Sequence, residues 1–135
     1  MWLRGVFSVL ARVLALSSTH VVHRAREVHD LWHVLFGCGT TVSAELALKA
    51  VEAVQTGLPS AALAALVGPL RLSARRRRQL VSIHMPWALR AGMQAVDLMC
   101  VPYERHFHEP LDVVRARWRI IPAPAFAQSQ PQTTA

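Results

Sequence analysis

Two histidines and two acids are spaced as ligands of one divalent metal ion. On a helix, His29 and His33 lie one turn apart on the same face. Asp30 is about 100° round the helix from His29, near enough to converge on the same ion. Glu45 follows His33 after eleven intervening residues. Imidazole and carboxylate ligands suit Zn²⁺, Mn²⁺ or Fe²⁺, and the lack of a thiolate argues against a purely structural zinc site. The alternative is a chance pair of histidines with Asp30 as a surface acid.

A helical hairpin would bring these side chains together. Apolar residues at helical spacing predict a helix over about residues 20–36, which Gly37 ends. Thr40 or Thr41 is the expected N-cap of a second helix. In an antiparallel hairpin, the second histidine and Glu45 lie at similar heights, since each is about one turn from the break.

The rest of the chain also predicts helices, which gives an all-α fold with a single helical domain and a metal site on the hairpin. Ala and Leu dominate, and β-branched residues never alternate cleanly with polar ones. Pro86 is expected to kink or divide the helix that contains it. Ser60 is expected to cap a short helix. Beyond the first helix, the expected helical ranges are about 41–55, 60–67, 73–86, 86–99 and 111–118.

The composition favours a folded chain of one domain. The 135 residues are 53% hydrophobic, which argues against disorder as the main state. No apolar run is long enough to cross a bilayer. Cys38 and Cys100 form no CxxC pair and are expected to be buried free thiols in a reducing compartment. There is no glycine-rich phosphate loop, and no cofactor-binding residues beyond the metal ligands are predicted.

The net charge of +7 is unevenly distributed. Residues 1–26 carry four arginines and no acid, and residues 71–78 carry five arginines. Between them, residues 27–70 carry four acids against one lysine. We expect the run Arg75–Arg78 to meet anionic lipid headgroups rather than nucleic acid, because no nucleic-acid recognition motif accompanies it. A solvated helix face is the alternative interpretation.

Both ends of the chain differ from its centre. Residues 1–25 are amphipathic, contain arginine and serine and lack acids, which is typical of a mitochondrial presequence. The alternatives are an ordinary helix of the fold and a helix lying on a membrane surface. Residues 122–135 are polar and contain proline, so a disordered tail is expected after the helical domain of residues 26–121.

The metal motif and its flanks resemble one known family. The stretch REVHDLWHVLFG, then Glu45, then EAVQTGLP at residues 52–59, resembles the ubiquinone (coenzyme Q) biosynthesis protein 4 family. That family is marked by HDxxH-x11-E, and all four positions match. The segments GPLRL, PWA, YER and PL with VR extend the resemblance over about residues 26–121.

The resemblance implies a helical protein, peripheral to the matrix face of the mitochondrial inner membrane, within a complex of ubiquinone-biosynthesis proteins. The implied reaction removes the C1 carboxyl group of 4-hydroxy-3-methoxy-5-polyprenylbenzoate and gives a 2-methoxy-6-polyprenylphenol. No catalytic residue beyond the metal site is identified. The implied ligands of the metal, usually described as zinc, are His29, Asp30, His33 and Glu45.

Two other functions are consistent with the same residues. One is a non-catalytic, lipid-binding scaffold of the same complex. The other is an HD-type phosphohydrolase, which needs an upstream histidine (His20 or His23) and a distant acid such as Asp97. The spacing to Glu45 and the flanking matches favour the ubiquinone family. Family members carry a substantial helical region before the metal motif, so the short stretch here predicts an N-terminally truncated form.

Overall fold

The computed structural model describes residues 19–126, and every regular element within that range is helical. The prediction of an all-α single domain is therefore confirmed. The α-helices are α1 Thr19–Phe36, α2 Val42–Thr56, α3 Pro59–Val67, α4 Ala74–Gln79, α5 Met85–Gln94 and α6 Leu111–Arg117. Shorter elements are a π-helix at Leu80–His84 and 3₁₀-helices at Gly68–Arg71 and Tyr103–Arg105.

The break between α1 and α2 forms as predicted. Gly37 follows α1 with φ 68°, in the left-handed region that glycine adopts without strain. Thr41 is the N-cap of α2, and its hydroxyl accepts a hydrogen bond from the backbone N–H of Ala44 at 3.3 Å. Gly57 ends α2 in the same left-handed conformation. Local residues therefore fix both ends of α2 and its approach to α1.

The last helix closes the end of the first. Arg115 Nε donates to the carbonyl of Leu35 at 2.7 Å, and its Nη2 donates to the carbonyl of Val34 at 3.0 Å. The last carbonyls of a helix have no partner within it and carry partial negative charge. A guanidinium therefore stabilises them both by hydrogen bonding and by its positive charge. The hairpin turn is thus held by a residue 80 positions further along the chain.

The core lies where α1, α2 and α5 meet. Trp32 Nε1 donates to the hydroxyl of Tyr103 at 2.9 Å, and that hydroxyl donates to the carbonyl of Leu98 at 2.7 Å. These bonds satisfy buried polar atoms and join α1 to the loop after α5. The largest fully buried side chains include Trp32, Phe36, Leu48, Leu80 and Leu98.

Pro86 is accommodated by a change in helical pitch. The run from residue 74 to residue 94 stays helical, but its middle part, Leu80–His84, is a π-helix. Proline has no N–H, and its ring clashes with the carbonyl four residues earlier; a wider turn relieves both problems. The expected division of this helix at Pro86 therefore takes the form of a π-helical turn.

The start of α3 differs from the prediction. The helix begins at Pro59 with Leu58 as its N-cap, and Ser60 lies within the first turn. Proline suits the first turn of a helix, because its missing N–H would have no partner there. The prediction that Ser60 caps this helix was therefore wrong.

The end of α5 also differs from the prediction. The helix ends at Gln94 rather than near residue 99, and the chain turns extended at Ala95. Gln55 of α2 binds this end: its Nε2 donates to the carbonyl of Gly92 at 2.6 Å, and its Oε1 accepts from the N–H of Leu98 at 3.0 Å. A side chain distant in sequence replaces the helical partners, so the local pattern cannot reveal the end.

The two terminal segments fall partly outside the described residues. The presequence-like segment lies outside them up to residue 18, and from Thr19 the chain forms α1. Of the predicted tail, residues 127–135 lie outside, whereas residues 122–126 contact the core. Ala123 N–H donates to the carbonyl of Phe36 at 2.7 Å, and the ring of Phe126 stacks on His84 with centroids 4.0 Å apart.

The two cysteines occupy different environments. Cys38 is buried as expected, but Cys100 is exposed, so the prediction of two buried thiols was wrong for one of them. The early end of α5 leaves Cys100 in a surface loop, where its Sγ donates to an Asp97 carboxylate oxygen at 3.4 Å. Between residues 19 and 126, no helix is both long and apolar enough to span a bilayer.

Candidate metal centre

Three of the four predicted ligands meet between α1 and α2. His33 Nε2 lies 2.8 Å from one carboxylate oxygen of Glu45, and His29 Nε2 lies 3.3 Å from the other. One candidate ligand atom from each residue lies within 4.8 Å of the others. The hairpin therefore places two ring nitrogens and a carboxylate where one divalent cation could be bound by all three.

The other ring nitrogen of each histidine has its own acceptor. His33 Nδ1–H donates to the carbonyl of Cys38 at 3.2 Å, and His29 Nδ1–H donates to Glu52 at 3.1 Å. In these tautomers each Nε2 carries a lone pair directed toward Glu45. Three electron-pair donors that face one another repel unless a proton or a cation lies between them. Histidine ligands commonly have such partners on the second ring nitrogen, so the residues fit a bound metal.

Glu52 is a functional candidate that the sequence reasoning missed. It is 5% exposed, and it accepts hydrogen bonds from His29 and from Lys49 Nζ at 2.6 Å. Burial raises the pKa of Glu52, but the hydrogen bonds and positive charges of His29 and Lys49 together outweigh burial, so the pKa lies below the ordinary value. The hydrogen bond that His29 donates to Glu52 raises the pKa of His29 despite burial. Spacing held a signal: Glu45, Lys49 and Glu52 follow one another at i, i+4 and i+7 on one face of α2.

The structure does not bring Asp30 into this group. Asp30 is exposed, and the cluster found among residues 19–126 consists of His29, His33 and Glu45. One step along α1 turns the side chain by about 100°, away from the face that α2 contacts. The spacing argument used the same rotation but did not include which face of α1 meets α2.

Cys38 contributes its backbone rather than its sulfur. Burial, followed by the nearby charge of Glu45, raises the pKa of the Cys38 thiol to about 12. A protonated thiol is a poor metal ligand. The donors of the cluster are therefore nitrogen and oxygen, as the sequence predicts.

The residues needed by a phosphohydrolase do not join this cluster. Asp97 accepts from the N–H of Met99 at 3.0 Å and from Cys100, in the loop after α5. His23 is exposed on α1 and is not part of the cluster found among the described residues, and the side chain of His20 lies outside them. The described part of the chain thus gives the phosphohydrolase interpretation no structural support.

Fold and cluster together define a class: an all-helical protein whose first hairpin carries a His–His–Glu group suited to a divalent metal. A family model described as coenzyme Q (ubiquinone) biosynthesis protein Coq4 matches residues 15–124. The chain belongs to this family, and the resemblance noted in the sequence is confirmed.

Individual relatives are similar over most of this chain. It is 45% identical over 107 residues to the mitochondrial ubiquinone biosynthesis protein COQ4 homolog of Nematostella vectensis, covering 77% of this chain and 51% of the relative. The Bos taurus homolog is 43% identical over 105 residues, which are 78% of this chain and 40% of the relative. The Schizosaccharomyces pombe protein is 39% identical over 105 residues, again 78% of this chain, and 39% of the relative.

The chain spans about half or less of the length of these relatives. No solved structure was found to match it.

Proposed function

We propose that the chain is a metal-dependent carbon–carbon lyase of ubiquinone biosynthesis. The reaction removes the C1 carboxyl group of 4-hydroxy-3-methoxy-5-polyprenylbenzoate as CO₂, and a proton takes its place on the ring to give 2-methoxy-6-polyprenylphenol. The observation that carries the proposal is the convergence of two histidine Nε2 atoms on Glu45, with both Nδ1 atoms already hydrogen-bonded.

His29, His33 and Glu45 are the proposed metal ligands, and zinc is the proposed metal. When bound, such an ion supplies Lewis-acid stabilisation of anionic charge on the substrate. The protein contributes geometry: Glu52 orients the ring of His29, and the carbonyl of Cys38 orients that of His33. The hydrogen bonds that His29 and Lys49 donate lower the pKa of Glu52, which favours its ionised form.

The place of the reaction is proposed from the same family membership. The relatives are named mitochondrial, and we propose that this chain acts at the matrix face of the inner membrane with other ubiquinone-biosynthesis proteins. A metal-stabilised scaffold for that complex is the second candidate. It is supported by the same His–His–Glu group, because a metal bound there would join α1 to α2 without acting on a substrate.

Metal content and CO₂ release together test the proposal. Purified full-length chain is loaded with Zn²⁺, and the release of labelled CO₂ from the carboxyl-labelled prenylated acid is followed. His33→Ala is expected to abolish both metal binding and CO₂ release. The matched control is His108→Ala, because His108 is exposed and lies outside the cluster.

The outcomes separate the two candidates. Loss of CO₂ release together with the metal supports the lyase. A chain that binds zinc and the prenylated acid but never releases CO₂ is the scaffold, and the lyase proposal then fails.

A further inference from the structure

The single lysine of the chain lies beside the candidate metal centre. The sequence contains fourteen arginines and one lysine, Lys49. Its Nζ donates to Glu52 Oε2 at 2.6 Å, and the same carboxylate oxygen accepts from His29 Nδ1–H at 3.1 Å. One carboxylate therefore joins the lysine ammonium to a proposed metal ligand.

Lys49 is open to a ligand, whereas its acceptor is not. The side chain of Lys49 is 33% exposed, and that of Glu52 is 7% exposed. An ammonium group has three N–H donors. Within the part of the chain that the structure describes, Glu52 is the one acceptor that Lys49 binds. Two N–H donors of Lys49 are therefore available to a bound molecule.

Lys49 and Glu45 lie on one face of α2. They are four residues apart on the helix, so their Cβ atoms are about 5–6 Å from each other. Glu45 is 40% exposed, whereas the side chains of the two histidines that face it are more deeply buried. A molecule that approaches the cluster from solvent therefore meets Glu45 and Lys49 side by side.

The ammonium and the metal-ligand atoms are separated by the ring of His29. Glu52, which binds Lys49, contacts His29 at Nδ1, whereas Glu45 faces His29 at Nε2. These two nitrogens lie on opposite sides of the imidazole ring. The centre therefore offers two distinct positions for anionic oxygen, one at the cluster and one at the ammonium.

The proposed substrate carries its two anionic oxygen groups at opposite ends of one ring. In a 4-hydroxybenzoate the carboxyl group is on C1, and the hydroxyl group is on C4, para to it. A carboxylate is a suitable ligand for a divalent cation bound by histidine and glutamate. The lysine ammonium is then the positive group that remains for the 4-oxygen.

We propose that Lys49 binds the 4-oxygen of the substrate and stabilises it as a phenolate. This inference rests on the proposed function, from which its substrate is taken, and it adds a substrate-binding residue to the proposed metal ligands. Lysine suits this task, because its ammonium is a compact point charge whose donors rotate, whereas a guanidinium is a planar fork. A charged donor directed at an anionic oxygen stabilises the charge most where water is excluded.

A phenolate at C4 supplies the electrons that decarboxylation requires. The 4-hydroxyl group gives its proton to solvent, and O4 donates an electron pair through the ring toward C1. C1 forms a bond to a proton from water. The bond between C1 and the carboxyl carbon then breaks, and its electron pair restores the aromatic ring as CO₂ leaves. A proton from solvent finally returns to O4, which Lys49 holds throughout.

Difference absorption spectroscopy of the full, zinc-loaded chain tests the inference, because a phenolate absorbs at longer wavelength than its phenol. The probes are 4-hydroxy-3-methoxy-5-geranylbenzoate and its 4-methyl ether, which cannot ionise at O4. At neutral pH the free hydroxy acid is a phenol. The parent is expected to bind it with phenolate absorption, recorded immediately after mixing. The methyl ether is expected to bind about 10- to 100-fold more weakly, the usual contribution of a hydrogen bond to a charged group.

Three variants assign the effect to the lysine. Lys49→Met removes the charge with a side chain of similar length, and it is expected to lose the phenolate absorption and to bind both probes about equally. Lys49→Arg keeps a charged donor and is expected to restore part of the absorption. The control Arg26→Gln removes a positive charge from an exposed position on α1 and should behave as the parent. Circular dichroism checks the fold of each variant.

Two results would overturn the inference. The first is a parent chain that binds the hydroxy acid as a phenol, and this result needs no variant, so it remains decisive even if Lys49→Met does not fold. The second is the same difference in affinity between the two probes in Lys49→Met as in the parent, which makes Lys49 a partner of Glu52 only.

Release of CO₂ judges the lyase function separately. Phenolate absorption that depends on Lys49, without any release of CO₂ by the parent, supports the role of Lys49 in binding and overturns the lyase. Release of CO₂ without phenolate absorption supports the lyase and overturns the inference about Lys49.

Discussion

Two helical regions of the molecule arrange charge in opposite ways: the metal hairpin, formed by α1 and α2, and residues 53–96, called here the acid-free segment. In the hairpin, Glu45 and Glu52 are held by histidines and by Lys49 within hydrogen-bond distance. In the acid-free segment, six arginines have no acid in the same stretch of 44 residues. The first arrangement builds an internal site that could bind a cation. The second leaves positive charge with no acid in the same stretch of chain.

The two regions also differ in how far their apolar side chains are buried. Leu48 of α2 is fully buried, whereas Leu66 of α3 is largely exposed, although both lie on helices of the same domain. Composition alone does not distinguish them. The contrast indicates that α3 packs one face against the domain and leaves another apolar face exposed.

The largest expected effect separates these two leucines. Leu48→Ala should lower the free energy of unfolding by about 2–5 kcal/mol, because it removes a fully buried side chain and leaves a cavity. Leu66→Ala should change it by less than about 0.5 kcal/mol. Urea unfolding followed by circular dichroism measures both. Equal losses would mean that Leu66 is buried rather than exposed.

Within the hairpin, His33 and Asp30 should differ sharply in metal binding. His33→Ala should weaken Zn²⁺ binding by more than about a hundredfold, because it removes a proposed ligand. Removing only the hydrogen-bond partner of a ligand usually weakens metal binding by about 10- to 100-fold. Asp30→Asn should weaken it by less than about tenfold, because Asp30 lies outside the cluster. Competition with a zinc chelator gives both values. A large effect of Asp30→Asn would restore the four-ligand set implied by the sequence.

Glu52 should act through the ring of His29. Glu52→Gln is expected to weaken Zn²⁺ binding by about 10- to 100-fold, since the variant no longer offers His29 Nδ1–H a charged acceptor. Glu104→Gln is the control, because Glu104 is exposed and belongs to an ion pair with Arg24. If both variants bind zinc as the parent does, Glu52 is a structural residue only.

The smallest effect is expected at the surface. Hydrogen bonds from Arg117 and His106 lower the pKa of Glu109 to about 2 from the ordinary 4.5. The stabilisation from this lowered pKa is fully present above pH 4.5 and is lost as the pH falls toward 2. Glu109→Gln should therefore lower Tm slightly near neutral pH and not at all at the acid end. Thermal unfolding measures Tm across this pH range. A difference in Tm between Glu109→Gln and the parent that grew as the pH fell would contradict a lowered pKa for Glu109.

Local signals made much of the hairpin predictable. Gly37 and Thr41 determine the turn with their own backbone and side-chain preferences, so the break and the pairing of α1 with α2 follow from adjacent residues. Once the turn is known, the heights of His33 and Glu45 follow from helical geometry. Three members of the cluster were therefore accessible to spacing arguments.

The errors arose where contacts join distant parts of the chain. The end of α5 depends on Gln55, which lies 37 residues before its hydrogen-bond partner Gly92. Whether Asp30 joins the ligands stays a prediction, because it depends on which face of α1 meets α2, and spacing does not supply that. Glu52 lies 23 positions after His29, so its hydrogen bond to His29 depends on the folded hairpin and not on local sequence.

The hydrogen bonds of Arg115 to the last carbonyls of α1 set a minimum length for any fragment that preserves the candidate metal centre. A fragment that ends before α6 would retain His29, His33, Glu45 and Glu52. It would nevertheless lose the guanidinium that anchors the turn in which Cys38 presents its carbonyl to His33. For expression or spectroscopy of the isolated hairpin, the helix that supplies Arg115 therefore has to be included, even though none of its residues is a proposed ligand.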